Sequence, residues 1–235
     1  MLFRSAALAT IPAIRFPAPT VVAELGRPIV IRAPFRCDCR PDRADLVITE
    51  EHAGRNDVQR AVIEGEAEDT SAVVTIAGHV PPGTTWGWRL RLVVGDDIIL
   101  GPMEQLVVED RRFAWQQVER DGIVLHWYDG DRAFADDALA IGVAAVDRAA
   151  ALLGARPAGP VDLFVYADRD DFYDALGPGT RENVGGQAIA GSGTMYALIT
   201  PSEIGSSWVT TVVAHELTHL VVGAVASGPW ADVPR

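Results

Sequence analysis

The chain has 235 residues, 49% hydrophobic and 22% charged, with 20 basic against 32 acidic residues and a formal net charge of −12. The length suits two domains of ordinary size, and the apolar fraction supports a core in each, which excludes wholesale disorder. The acidic balance argues against nucleic acid as a partner, since displacing counterions from phosphates needs a basic face and the longest basic run is Arg111-Arg112.

Residues 1–14 are mildly apolar but broken by Pro12, so they make a poor signal peptide. Residues 1–11 are expected to be poorly ordered, and the native N-terminus is expected to lie elsewhere. No run of about 18 consecutive apolar residues occurs, so no membrane span is expected in this chain. Cys37 and Cys39 are separated by one residue. A disulfide across such a spacing is poorly placed, and a metal site would need further soft ligands, so two free thiols are expected.

From there to about residue 110 the pattern is β. Residues 28–33, 44–49 and 71–77 are short, β-branched and bounded by turn residues. Pro81-Pro82-Gly83-Thr84 is a turn signal. Residues 85–94 alternate large apolar with polar or small side chains, Gly95-Asp96-Asp97 turns the chain into 98–100, and 104–109 reads as a last strand. Strands at this spacing with no helical pattern predict an antiparallel β-sandwich of immunoglobulin or fibronectin type over residues 12–110.

Residues 111–235 change character. A strand pair is predicted at 113–118 and 122–128, then an Ala-rich helix from Asp131 to about residue 153, closed by Gly154. Residues 161–166 read as a strand, and Asp168 with Asp171 as the cap and first turn of a short helix through Leu176. A Gly-rich loop spans 177–186, and 195–199 is another strand. Ser206 or Ser207 caps a final helix over about 208–225.

That last helix carries the chemistry, in His215-Glu216-Leu217-Thr218-His219. Two histidines four apart share one helical face, so their imidazoles can converge on one tetrahedral metal ion. Glu216 sits at the edge of that face, where a carboxylate can take a proton from a metal-bound water. Zinc lowers the pKa of such a water from about 16 towards 7. The carboxylate then passes the proton to the leaving amine, as general base and then general acid. The flanking residues are uncharged, and burying two His and a Glu in such a helix is costly without a purpose. The bland alternative is two satisfied core histidines beside a capping Glu.

A third protein ligand is required. The pattern that places a third His on the same segment would use positions that hold Val222 and Val225 here, which excludes it. Asp232 could ligate, or serve only as a loop acid. The remaining class uses a Glu on a following helix, and the chain stops at Arg235 before one.

The second half resembles the peptidase MA-like gluzincins of bacterial secreted or surface proteins. Three stretches carry the likeness. The first is Arg112-Phe113-Ala114-Trp115 leading into Val124-Leu125-His126-Trp127-Tyr128. The second is Leu163-Phe164-Val165-Tyr166 with Asp168-Arg169-Asp170-Asp171-Phe172. The third is Gly185-Gly186-Gln187-Ala188 through to His215-Glu216-Leu217-Thr218-His219-Leu220-Val221. The resemblance implies a multidomain chain, an N-terminal antiparallel β-sandwich ahead of a C-terminal α+β zincin-like metallopeptidase region. It implies Zn2+ as cofactor on His215 and His219, Glu216 as the catalytic acid/base, a peptide or protein substrate, and an extracytoplasmic location in a bacterium. Pro234-Arg235 resembles the approach to the family's third ligand, so the peptidase domain is expected to be incomplete at its C-terminus. In gluzincin folds an edge strand beside the zinc helix pairs with substrate backbone, and Met195, Tyr196 and Ala197 are the best match by order along the chain. His126, between Leu125 and Trp127, is expected to be a packing or surface residue rather than a ligand. Two other readings stay open: a non-catalytic surface protein that binds through the sandwich, and a zinc hydrolase of another bond. Oligomeric state is not legible.

Overall fold

The computed structural model describes residues 13–50, 55–66, 69–157, 159–180 and 184–226. Two sheets form from the first half of the chain. One has the order β1-β2-β6-β5, from β1 (Thr20–Val22), β2 (Ile29–Pro34), β5 (Val62–Glu64) and β6 (Ser71–Ile76). The other has the order β4-β3-β7-β8, with β9 also on β7, from β3 (Arg43–Glu50), β4 (Arg55–Arg60), β7 (Thr85–Val94), β8 (Asp97–Leu100) and β9 (Glu104–Val107). All pairings within them are antiparallel. Alternate residues of each sheet meet in one core: Ile29, Ile31, Ala72 and Val74 from the first, Leu46, Ile48, Trp88, Leu90 and Leu92 from the second. The period of two puts every second side chain inward, and that is what makes a sandwich of these strands.

Cys37 and Cys39 are joined in a disulfide, with Cα atoms 5.0 Å apart. This corrects the expectation of free thiols. The bend after β2 brings the two Cα atoms into the range a disulfide spans, which the spacing alone did not suggest.

The third sheet has the order β10-β11-β12-β14-β13, from β10 (Gln116–Arg120), β11 (Ile123–Trp127), β12 (Val161–Tyr166), β13 (Gly186–Ile189) and β14 (Thr194–Leu198). The three central strands are parallel, and both edge strands are antiparallel to their neighbours. The β10–β11 hairpin turns on Asp121 and Gly122, at φ of 52° and 80°. Positive φ at both central residues is what a two-residue loop of type I′ requires. One face of the sheet is covered by α1 (Arg132–Leu153) and α3 (Ser207–Ala226), which share a core with Leu125, Leu163, Val165, Met195 and Ala197. Asp131 caps α1 by accepting from the Phe134 N–H at 2.9 Å, and Gly154 closes it in the left-handed region.

The other face is aromatic. Phe164, Tyr166 and Tyr196 pack with Phe172 of α2 (Arg169–Leu176) and with Phe113, Trp115 and Tyr128. The sandwich closes over this face. Tyr196 donates its buried hydroxyl to the Pro82 carbonyl, and His79 Nε2 lies 2.7 Å from the Ala175 carbonyl. Gly83, at φ 79°, lies under Phe164, where a Cβ would come within 2.5 Å of the ring. His126, expected as a packing or surface residue, stacks on Phe164 with its Nε2 2.7 Å from Asp162 Oδ1.

The crossing from sandwich to third sheet is held by Asp110, whose side chain is fully buried. Its carboxylate accepts from Arg112 Nε at 2.9 Å, Arg112 Nη2 at 2.7 Å and the Tyr166 hydroxyl at 3.0 Å. Arg112 then reaches Asp171 and Asp174 of α2, both at 3.2 Å. Burial alone would raise the Asp110 pKa, but these hydrogen bonds and the guanidinium charge outweigh it and lower the value. Burial, and then the Asp110 charge, push the Tyr166 hydroxyl pKa up, so it stays a donor.

Among the described residues, α3 is the one helix long and apolar enough to cross a membrane by length and composition, although no uninterrupted apolar run exists. Its buried residues, Val209, Val213, Leu217, Leu220 and Val221, pack into the core beside α1 and the sheet.

Candidate metal centre and active site

The site is built where α3 crosses β13. On α3, Val209, Val213, Leu217, Leu220 and Val221 face inward, and His215 and His219 fall on the opposite, exposed side. Their rings lie 4.8 Å apart, nearly perpendicular, with the two Nε2 atoms 3.2 Å apart. Two nitrogens bound to one tetrahedral zinc at about 2.0–2.1 Å would stand roughly 3.3 Å apart. The imidazole pair therefore fits two corners of a zinc tetrahedron. Among the described residues no group of three His, Cys, Asp or Glu converges to hold a metal. Asp232 lies outside the described residues.

Glu216 lies beside this pair, its side chain 16% exposed against 67% for His215. One carboxylate oxygen is 4.0 Å from His215 Nε2. The other accepts a hydrogen bond from the Ala188 N–H at 3.0 Å. The carboxylate is thus held by the sheet on one side and turned to the imidazoles on the other.

That contact requires α3 to lie close on β13, and small residues permit it. A Cβ on Gly186 would come within 2.8 Å of Val212 Cγ1 and 3.0 Å of Glu216 Cγ. A Cβ on Gly223 would come within 2.8 Å of the Ala190 Cβ. Tyr173 of α2 fixes the approach to β13: its hydroxyl accepts from the Val184 N–H at 3.0 Å and lies 3.2 Å from the Val184 carbonyl.

The strand expected to offer its backbone to substrate is not an edge. β14 is paired on both sides, with β12 and with β13, and Met195, Tyr196 and Ala197 are fully buried. Its peptide groups are used within the sheet, so it cannot add a further strand. The edge is β13, within a stretch read from sequence partly as Gly-rich loop. The Leu198 N–H bonds the Gly185 carbonyl at 2.9 Å, and these two residues are opposite in the register. In an antiparallel pair the hydrogen-bonded positions alternate, so Gly185, Gln187 and Ile189 face β14, and the peptide groups of Gly186 and Ala188 face outward. Gly186 is buried beneath α3, which leaves Ala188 as the half-buried, outward position. The signal available in the sequence was Gly185-Gly186-Gln187-Ala188 itself, a run of small residues of weak strand propensity at a close approach.

No curated protein matches the chain. A solved structure described as the crystal structure of a Br derivative of BhCBM56 is similar at 10% identity and a TM-score of 0.26, over 38% of this chain and 88% of that one. Likeness of that size carries no conclusion. Residues 141–235, which include α3 and the edge strand β13, match the family model described as the Peptidase MA superfamily.

Proposed function

We propose that the chain is a zinc-dependent metallopeptidase in which His215 and His219 hold the metal and Glu216 is the general base. The observation that carries this reading is the 3.2 Å separation of the two exposed Nε2 atoms with the Glu216 carboxylate 4.0 Å from one of them. The match of residues 141–235 to the Peptidase MA superfamily supports peptide-bond hydrolysis as the reaction. A third ligand would come from outside the described residues, with Asp232 as a candidate. When bound, zinc would act as a Lewis acid on the scissile carbonyl and lower the pKa of the attacking water.

The rest is the work of this chain's own groups. The Ala188 N–H orients the Glu216 carboxylate through one oxygen, leaving the other free to accept a proton from water and return it to the leaving nitrogen. An extended peptide would lie along the outer side of β13 and donate an N–H to the outward Ala188 carbonyl, since the Ala188 N–H is held by Glu216, which keeps the peptide within reach of that carboxylate.

The test is zinc stoichiometry by elemental analysis together with hydrolysis of a quenched fluorescent peptide library. Zinc binding that His215→Ala and His219→Ala both abolish, with hydrolysis that Glu216→Gln removes while the metal stays, is the expected result. Equal zinc binding by the His variants, or full turnover in Glu216→Gln, would overturn the assignment.

A further inference from the structure

We propose that Cys37 and Cys39 form a reversible thiol–disulfide exchange site, with a low-molecular-weight thiol or a dithiol as co-reactant. A disulfide stabilises a fold mainly by closing a loop in the unfolded chain, and the effect grows with loop length. This one joins residues with a sequence separation of 2, so it constrains almost nothing beyond its own turn. It lies outside the sandwich core, which is built from β2, β3, β6, β7 and their neighbours.

The surroundings suit exchange. Both cysteines are half-buried rather than enclosed, and they line an open cleft with Arg40, Asp42, Glu66 and Thr70. Phe35 also lines it. A thiol-bearing molecule can therefore approach the sulfurs. The two sulfurs are not equivalent. The Cys39 N–H points at Cys37 Sγ at 3.1 Å. A hydrogen bond to sulfur favours the thiolate over the thiol, so Cys37 is the better leaving group and Cys39 Sγ the atom attacked.

The exchange balances in two steps. The thiolate of a dithiol bonds to Cys39 Sγ, the Cys37–Cys39 bond breaks, and Cys37 leaves as a thiolate facing the Cys39 N–H. The second thiolate of the dithiol, or for a monothiol such as glutathione the thiolate of a second molecule, then attacks the reductant's sulfur in the mixed disulfide and releases Cys39. The reductant becomes a disulfide, and the protein gains two electrons and the two protons that the dithiol loses.

The full chain would be equilibrated with reduced and oxidised glutathione, and separately with dithiothreitol, then quenched with N-ethylmaleimide and weighed. The expected result is a gain of two alkyl groups under native conditions in thiol-rich mixtures, reversed in oxidised glutathione, with an unchanged circular dichroism spectrum. Cys37 in Cys39→Ser should be alkylated at pH 7 about tenfold faster than Cys39 in Cys37→Ser, because only the former keeps the N–H donor at its sulfur. A pair that reacts only after denaturation, or that does not reoxidise, would overturn the proposal. Equal alkylation rates in the two single variants would overturn the assignment of Cys37 as the leaving sulfur.

Discussion

Glu216 on α3 accepts a hydrogen bond from the backbone N–H of Ala188, an outward-facing position on the edge strand β13, at 3.0 Å. The carboxylate proposed as the base is therefore attached through the Ala188 N–H to the strand whose outward Ala188 carbonyl an extended substrate would use. Helix and strand are separate in sequence, and the contact ties the orientation of the one to the exposed backbone of the other.

Glu216→Gln keeps the shape of the side chain and replaces the oxygen that takes the proton. Turnover by the zinc-loaded protein should fall by about 10²–10⁴-fold, the usual contribution of a positioned general base. Zinc content should be unchanged. Steady-state kinetics beside elemental analysis would show both, and a variant with wild-type kcat would remove Glu216 from the mechanism.

His215→Ala and His219→Ala each remove one proposed ligand. Losing a group that merely orients a ligand costs about 10–100-fold in metal affinity, so losing the ligand itself should cost more. Both side chains are exposed, so the metal-free fold should shift by less than about 0.5 kcal/mol. Equilibrium dialysis with zinc and chemical denaturation of the apo protein separate the two effects. A large loss of apo stability would mean that the histidines are packing residues.

Gly186→Val places methyl groups where Val212 and Glu216 already lie, at 2.8 Å and 3.0 Å from the new Cβ. Overpacking of this kind costs about 1–3 kcal/mol. It should also push α3 off β13 and break the Glu216–Ala188 hydrogen bond, so activity falls further than stability. Urea denaturation and kcat on the same preparation would check this. An unperturbed variant would contradict the close approach of helix and strand.

Asp110→Ala removes the acceptor for Arg112 and Tyr166 and leaves the buried hydroxyl unsatisfied. With Arg112 31% exposed, water offsets part of the loss, and the expected cost is about 2–4 kcal/mol. The pH dependence has a defined sign. The folded pKa of Asp110 is lowered, so its contribution is present above the unfolded value of about 4 and is lost as pH falls through the lower folded value. The stability gap between wild type and Asp110→Ala should therefore hold at pH 6 and narrow below pH 4, as thermal melts would measure. A gap independent of pH would assign the loss to packing.

Tyr196→Phe keeps the ring in the aromatic layer and deletes the hydroxyl that bonds the Pro82 carbonyl. The orphaned carbonyl should cost about 1–3 kcal/mol. The loss should appear as faster amide exchange at Gly83 and Thr84, the residues of that turn that carry an N–H. Unchanged exchange there would show that the hydroxyl does not hold sandwich and sheet together.

Much of this was legible in sequence because it is local. The cap at Asp131, the stop at Gly154, the strand at Val161–Tyr166 and the spacing of His215, Glu216 and His219 all depend on periods and turn chemistry within a few residues. Sequence composition also showed the acidic balance and the β character of the first half. Strand order was not local. β14 is a short apolar run that reads as a strand wherever it lies, and only its pairing with both β12 and β13 makes it interior. β13 was obscured by Gly186 and by Gly185 just before it, whose weak propensity reads as loop until α3 is placed against the strand. The link between Cys37 and Cys39 depends on the bend of the chain after β2, and the Asp110–Arg112–Tyr166 network on bringing together residues up to 56 apart in sequence. Sequence by itself determined which side chains the last helix offers, since helical geometry alone sets them on one face. Tertiary structure decided which backbone edge that face meets, because edges exist only once strands have chosen their neighbours.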